Sequence, residues 1–223
     1  MTWLRLYITV EGQTERKFAD NVLRPYLASF SVEVKTRVVL TNRKLGKRGG
    51  ILDFEKIRND LQRLMHEDYK SEARFTTMID LYALPLEFPG WAEAQKKKLP
   101  TERVEILESA LQKEMGDQRF LPYIQLHEFE TLLYCDLVQL QQRISGTEAA
   151  FAKLAKEVEH LEPEEINEGR TTAPSKRIIT HVPIYDRLKV RVGASAAAAI
   201  GLPILRFKCP HFDNWILRLE QLK

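Results

Sequence analysis

Residues Leu4–Val10 read LRLYITV, a run rich in β-branched and aromatic residues and apolar on both faces. A strand with two apolar faces belongs inside a parallel sheet covered by helices on each side. Parallel neighbours cannot be joined by a tight hairpin; each needs a crossover, usually helical. That one segment therefore already points to α/β architecture. The run stops at Glu11-Gly12, and a helical pattern follows. Thr14 suits its N-cap, Phe18, Val22, Leu23, Leu27 and Phe30 share one face, and Pro25 interrupts it. An acid followed by glycine at the end of a buried strand has no propensity reason to be there.

The rest of the chain repeats the alternation. Val32–Leu40 alternates apolar and polar residues and predicts a second, more exposed strand. Asp53 caps a helix bearing Phe54, Ile57, Leu61, Leu64 and Met65. Phe75–Leu81 predicts a third strand with Asp80 near its end, and Phe120–Leu126 a fourth, followed at once by HEFETLLYCD. Between them lie a proline-bearing loop, a QKKK run and a helix over Thr101–Met115. A further helix covers Ala149–Leu161, Glu162–Ser175 reads as a loop, and the remainder is mainly helical. The expectation is a mostly parallel central sheet flanked by helices over residues 1–145. A mainly helical extension, 146–223, packs on it.

Of 223 residues, 44% are hydrophobic and 29% charged, with a formal net charge of +3. A real core is affordable, and bulk charge does not announce a polyanion partner. Cys135 and Cys209 stand far apart and form no CxxC pair, so neither a disulfide framework nor a zinc knuckle is indicated. No run has the length of a membrane span, and the first residues lack a signal-peptide pattern. The reading is a soluble protein of a reducing compartment, the cytoplasm.

In open α/β sheets the ligand site lies beyond the carboxyl ends of the strands. Glu11 follows the first strand, Asp80 the third, and Glu128 and Glu130 the fourth. Glu15, four residues after Glu11, can face the same way across the strand-to-helix turn. Like charges so close repel unless a proton or cation neutralises them, and hard oxygen donors suit Mg²⁺ or Mn²⁺. Such clusters serve phosphodiester chemistry. Taken singly, Glu15 also fits a helix first turn and Asp80 a loop cap; the joint pattern carries the argument.

Positive charge is local. TNRKLGKRGG, residues 41–50, carries Arg43, Lys44, Lys47 and Arg48 without an acid, which reads either as a nucleic-acid contact or as a solvated loop. TAPSKRI brings Ser175, Lys176 and Arg177 to a helix start, an anion site through free N–H groups, with Lys176 suited to steady a phosphate's charge. CPHFDNW lacks partners at ligand spacing and reads as a helix packed on the core. His127 reads either as a ligand or as a satisfied strand-end histidine.

VEGQTE at the end of the first strand resembles the opening motif of the Toprim fold of topoisomerases, primases and overcoming-lysogenization-defect (OLD) nucleases. ITVEGQTERKF, TTMIDLYALP, IQLHEFETLLY, TAPSKRI and IGLPILRFKCPHFDNW together resemble the signature blocks of domain-of-unknown-function family 4276, a Toprim-like family. That resemblance spans nearly the whole chain. It implies a Toprim-like core in which Glu11 matches the first acid, Glu15 the second acid of an E-G-x-x-E form, and Asp80 the first acid of D-x-D. The third position of that last motif is Tyr82, a departure that removes one ligand. Glu128 and Glu130 are the candidates to replace it. The implied activity is Mg²⁺- or Mn²⁺-dependent hydrolysis of DNA or RNA, in prokaryotic antiphage defence with an ABC-type ATPase partner. The sequence leaves open a homo-oligomer. The rival is a non-catalytic nucleic-acid-binding or regulatory subunit of an ATPase-containing complex.

Overall fold

The computed structural model describes residues 3–39, 53–167 and 172–222. Its centre is a parallel sheet. Strand β1 (Leu4–Val10) lies between β2 (Val32–Val38) and β3 (Ala73–Asp80). The register runs Leu4↔Val32 to Val10↔Val38 on one side and Arg5↔Ala73 to Val10↔Met78 on the other. Beyond β3 lie two short strands, β4 (Phe120–Leu121) and β5 (Ile124–Gln125), both parallel to it. Because these pairings are parallel, the carboxyl ends of β1, β3 and β5 share one edge.

Alternate residues of the strands face opposite layers. Leu6, Ile8 and Val10 face one core, together with Phe18 of α1 (Gln13–Phe18) and Leu27 of α2 (Arg24–Ala28). Phe75 and Ile79 face the other, built on α3 (Phe54–Glu67), α4 (Trp91–Ala94) and α5 (Pro100–Met115). Each fully buried large side chain contributes about 1.5–3 kcal/mol relative to exposure. The first core also takes in α6 (Leu137–Gln141), α7 (Glu148–Glu157), α8 (Pro174–His181), α9 (Tyr185–Ile200), α10 (Leu202–Lys208) and α11 (Pro210–Glu220). Phe212 and Trp215 of α11 are buried there, and the Trp215 ring stacks on Tyr123 at 4.2 Å. The helical extension thus shares the core of the strands rather than building its own. α9 and α10 meet at an 87° bend, with Gly201 at φ +82° between them. No single helix among the described residues is long and apolar enough to cross a membrane.

Several boundaries differ from the sequence reading, each for a local reason. The first helix starts at Gln13 with Gly12 as its N-cap, so Thr14 lies inside it. A π-helical turn, Ala19–Leu23, separates α1 from α2, and Pro25 is the second residue of α2, immediately after that turn. The second strand stops at Val38 and the third occupies Ala73–Asp80. The fourth strand is split because Pro122 has no N–H for the ladder. Thr77 bridges the gap: its hydroxyl donates to the Tyr123 carbonyl at 2.9 Å and accepts from the Tyr123 N–H at 3.0 Å. The helix expected over Ala149–Leu161 is α7, one residue earlier at its start and four shorter at its end. Asp53 caps α3 as expected, accepting from Glu55 N–H at 3.1 Å.

Candidate functional site

Glu11 leaves β1 just beyond Val10, and Asp80 ends the neighbouring strand β3. Each has a carboxylate oxygen, Glu11 Oε2 and Asp80 Oδ1, that is buried and has no hydrogen-bond partner. Orphaned buried oxygens are rare in folded proteins because desolvation without a partner costs about 1–3 kcal/mol each, more when charged.

Glu15 comes from the first turn of α1 and is 7% exposed. Its carboxylate turns back toward the start of its own helix, where the backbone N–H groups of Glu15 and Gly12 favour its charged form. Gly12 makes room for this. A Cβ at that position would lie 3.0 Å from Glu15 Oε2. The glycine of the strand-end motif is therefore explained by space for a side chain.

Glu130 reaches the same edge from a 3₁₀ segment, Phe129–Cys135, and accepts a hydrogen bond from Tyr185 Oη at 3.0 Å. Glu128, one residue before that segment, accepts from the Ser175 N–H at 2.9 Å. The free N–H at the start of α8 that the sequence offered to an outside anion is thus taken by the protein's own carboxylate.

The electrostatics tie these acids together. Burial, then the Glu15 charge, pushes the Glu11 carboxyl up to about 8, against a backbone hydrogen bond from Asp80. Burial raises Glu15 as well. Asp80 is held well above the ordinary carboxylate range by burial and then by Glu11, Glu15, Glu130 and Glu128. Burial and Glu128 bring Glu130 to about 7. The opposing charge comes from Lys189 of α9. Burial lowers its pKa, but Glu130, Glu128, Asp186 and Asp80 outweigh that and leave it raised. Five carboxyls with one lysine beside them cannot all ionise without a further cation or retained protons.

α9 delivers Tyr185 and Lys189 by close approach to α1. A Cβ on Gly193 would lie 3.1 Å from Thr14 Cγ2 and 3.7 Å from the Phe129 ring. Tyr185, Lys189 and Gly193 fall at intervals of four on one face of the helix. That spacing, together with the small-residue run GASAAAA, was the only trace of these residues in the sequence.

The other expected residues lie elsewhere or outside the described chain. Arg43, Lys44, Lys47 and Arg48 lie outside the described residues. Lys176 is exposed on α8, and Arg177 pairs with Glu157. Tyr82 turns to His127: its hydroxyl lies 3.4 Å from Nδ1, while His127 Nε2 meets the Glu164 carbonyl at 2.8 Å. Burial lowers the His127 pKa and, with the Glu128 charge, raises Tyr82 to about 12, so both are neutral near pH 7. His127 is a satisfied buried histidine, held at φ +60°. Glu164 in turn accepts from the His211 and Phe212 N–H groups, which fixes CPHFDNW as the start of a core helix.

In donor chemistry the cluster fits a hard divalent cation: carboxylate oxygens only, two of them orphaned, with protons standing in for positive charge. Among the described residues, no group of three or more Asp, Glu, His or Cys side chains is placed to hold a metal ion. Over residues 10–220 the sequence matches the family described as Domain of unknown function (DUF4276). No curated protein and no solved structure matches the chain.

Proposed function

The chain belongs to the DUF4276 family, and from that premise and its carboxylate edge we propose that it is a Toprim-like nuclease. It hydrolyses phosphodiesters in DNA or RNA with Mg²⁺ or Mn²⁺. The observation that carries this reading is the pair of orphaned oxygens on Glu11 and Asp80, at the ends of adjacent parallel strands. Glu11, Glu15 and Asp80 would hold the cation, with Glu130 in place of the acid that Tyr82 replaces. Such an ion, when bound, would polarise a phosphate oxygen and lower the pKa of a water so that hydroxide is available as the nucleophile.

The chain's own residues do the rest. Gly12 leaves space for Glu15 to bend back toward Glu11. The Tyr185 hydroxyl holds Glu130 in position, and the Ser175 N–H holds Glu128. Lys189 offers the non-metal positive charge beside these acids, suited to a phosphodiester's oxygens as negative charge develops on them. The basic residues 43–48 would contact the nucleic-acid backbone, which fixes position without reading sequence. An ABC-type ATPase is the proposed partner, and the proposed setting is cytoplasmic antiphage defence.

A second reading has its own support. The Tyr82 hydroxyl lies 3.4 Å from His127 Nδ1, and among the described residues no group of three or more Asp, Glu, His or Cys side chains is placed to hold a metal ion. Both features suit a non-catalytic nucleic-acid-binding or regulatory subunit of an ATPase-containing complex. Incubating the purified protein with plasmid, single-stranded DNA and tRNA in Mn²⁺, beside a Glu11→Ala variant, separates the two. Cleavage by the wild type alone supports the nuclease. No cleavage with or without the ATPase supports the subunit.

A further inference from the structure

Cys135 ends the 3₁₀ segment that carries Glu130, and Cys209 joins α10 to α11. They are 74 residues apart, yet their Sγ atoms lie 3.4 Å from each other. Both are free thiols, 2% and 0% exposed. A neighbouring contact clamps the same two segments: Lys208 Nζ donates to the Cys135 carbonyl at 2.9 Å. The approach therefore belongs to packed backbone on both sides.

We propose that Cys135 and Cys209 are a redox modification site, a latent disulfide that staples the 3₁₀ segment to the α10–α11 corner. A disulfide needs about 2.05 Å between sulfurs, so closing the pair asks for a movement of about 1.4 Å, within the reach of a χ1 adjustment. The pair forms by exchange with a small disulfide such as oxidised glutathione. One cysteine thiolate attacks it, releasing one glutathione thiol and leaving a mixed disulfide. The second thiolate attacks that cysteine's sulfur and releases the second glutathione. Two S–H bonds become one S–S bond, and the two electrons and two protons end on the two glutathione thiols.

Burial decides when this happens. The hydrogen bond with Cys135, and then burial, hold the Cys209 thiol far above the ordinary range, so in the closed fold it is a poor nucleophile. Exchange therefore waits for the α10–α11 corner to open and completes as it closes. The bond formed encloses a long loop and stabilises the folded chain by restricting the unfolded one. This inference does not depend on the nuclease reading.

The full-length protein is incubated with oxidised glutathione in sub-denaturing urea, dialysed, and assayed by thiol count under denaturing conditions, intact mass and non-reducing peptide mapping. The expected result is loss of both thiols, a Cys135–Cys209 cross-linked peptide, and a Tm higher by about 5–10 °C that dithiothreitol reverses. Cys135→Ala and Cys209→Ser each lose the shift; if one fails to fold, the other and the wild-type mapping still decide. Two free thiols after treatment, stable single glutathione adducts, or a disulfide between two chains would overturn the proposal.

Discussion

Glu11 and Asp80 end adjacent parallel strands, and each keeps one buried carboxylate oxygen without a hydrogen-bond partner. Neighbouring acids in such a place normally divide the available donors between them; these two leave oxygens over. The arrangement costs stability in the metal-free protein and leaves donors free for a cation. Glu11→Gln fixes the neutral form that burial and Glu15 favour, so above about pH 8, where wild-type Glu11 must ionise, the variant is expected to be at least as stable as wild type in chelator. Adding Mn²⁺ should raise the wild-type Tm by several degrees and leave the variant unmoved.

The same acids set a pH dependence. Glu11 ionises near 4.5 in an unfolded chain but is held up to about 8 in the folded one, and Glu130 is held at about 7. A raised folded-state pKa stabilises fully below the unfolded value, and that stabilisation disappears as pH rises through the folded value. Metal-free protein should therefore lose Tm progressively between about pH 4.5 and about pH 8. The increase brought by Mn²⁺ should grow over the same window, because the ion no longer competes with protons. Differential scanning fluorimetry across that range, with and without Mn²⁺, tests both slopes.

Lys189 and a divalent ion answer to the same acids. Removing the lysine charge with Lys189→Met should tighten Mn²⁺ binding, by about threefold to tenfold if about 0.7–1.4 kcal/mol of repulsion is relieved. Any cleavage activity should fall at the same time. Calorimetric titration reads the first effect and a plasmid assay the second. Weaker binding in the variant would mean that Lys189 positions the acids.

Tyr185 is expected to matter for stability first. Its hydroxyl is buried and serves Glu130 at 3.0 Å. Tyr185→Phe leaves a buried carboxyl without that donor and should cost about 1–3 kcal/mol, read by urea denaturation. Gly193→Leu should cost about the same by forcing α9 away from Thr14, where even a Cβ would sit at 3.1 Å.

What the chain disclosed in advance follows the range of the forces involved. The main strands, their parallel pairing and Glu11-Gly12 were legible because pleat periodicity and an acid at a strand end are local signals; the order of the strands was not. Thr14 has the right chemistry for a cap, yet α1 starts at Gln13; the space that Glu15 needs beside Gly12 appears only in three dimensions. Pro122 was visible, but its effect on the fourth strand depends on Thr77, 45 residues away, taking over the missing ladder bonds. Tyr185 and Lys189 stood outside any motif: they join the acids only because Gly193 lets one helix approach another. The N–H of Ser175, which a helix start offers to an outside anion, is given to Glu128 by a contact 47 residues apart in sequence.

The most direct measurement of the central claim is a Mn²⁺ titration of the metal-free protein near pH 8, by calorimetry or by the electron paramagnetic resonance signal of free Mn²⁺. Glu11→Gln and Asp80→Asn are run alongside. A saturable Mn²⁺ site in the wild type that is lost in both folded variants is the expected result. Equal binding by all three proteins, or none by the wild type, would contradict the account.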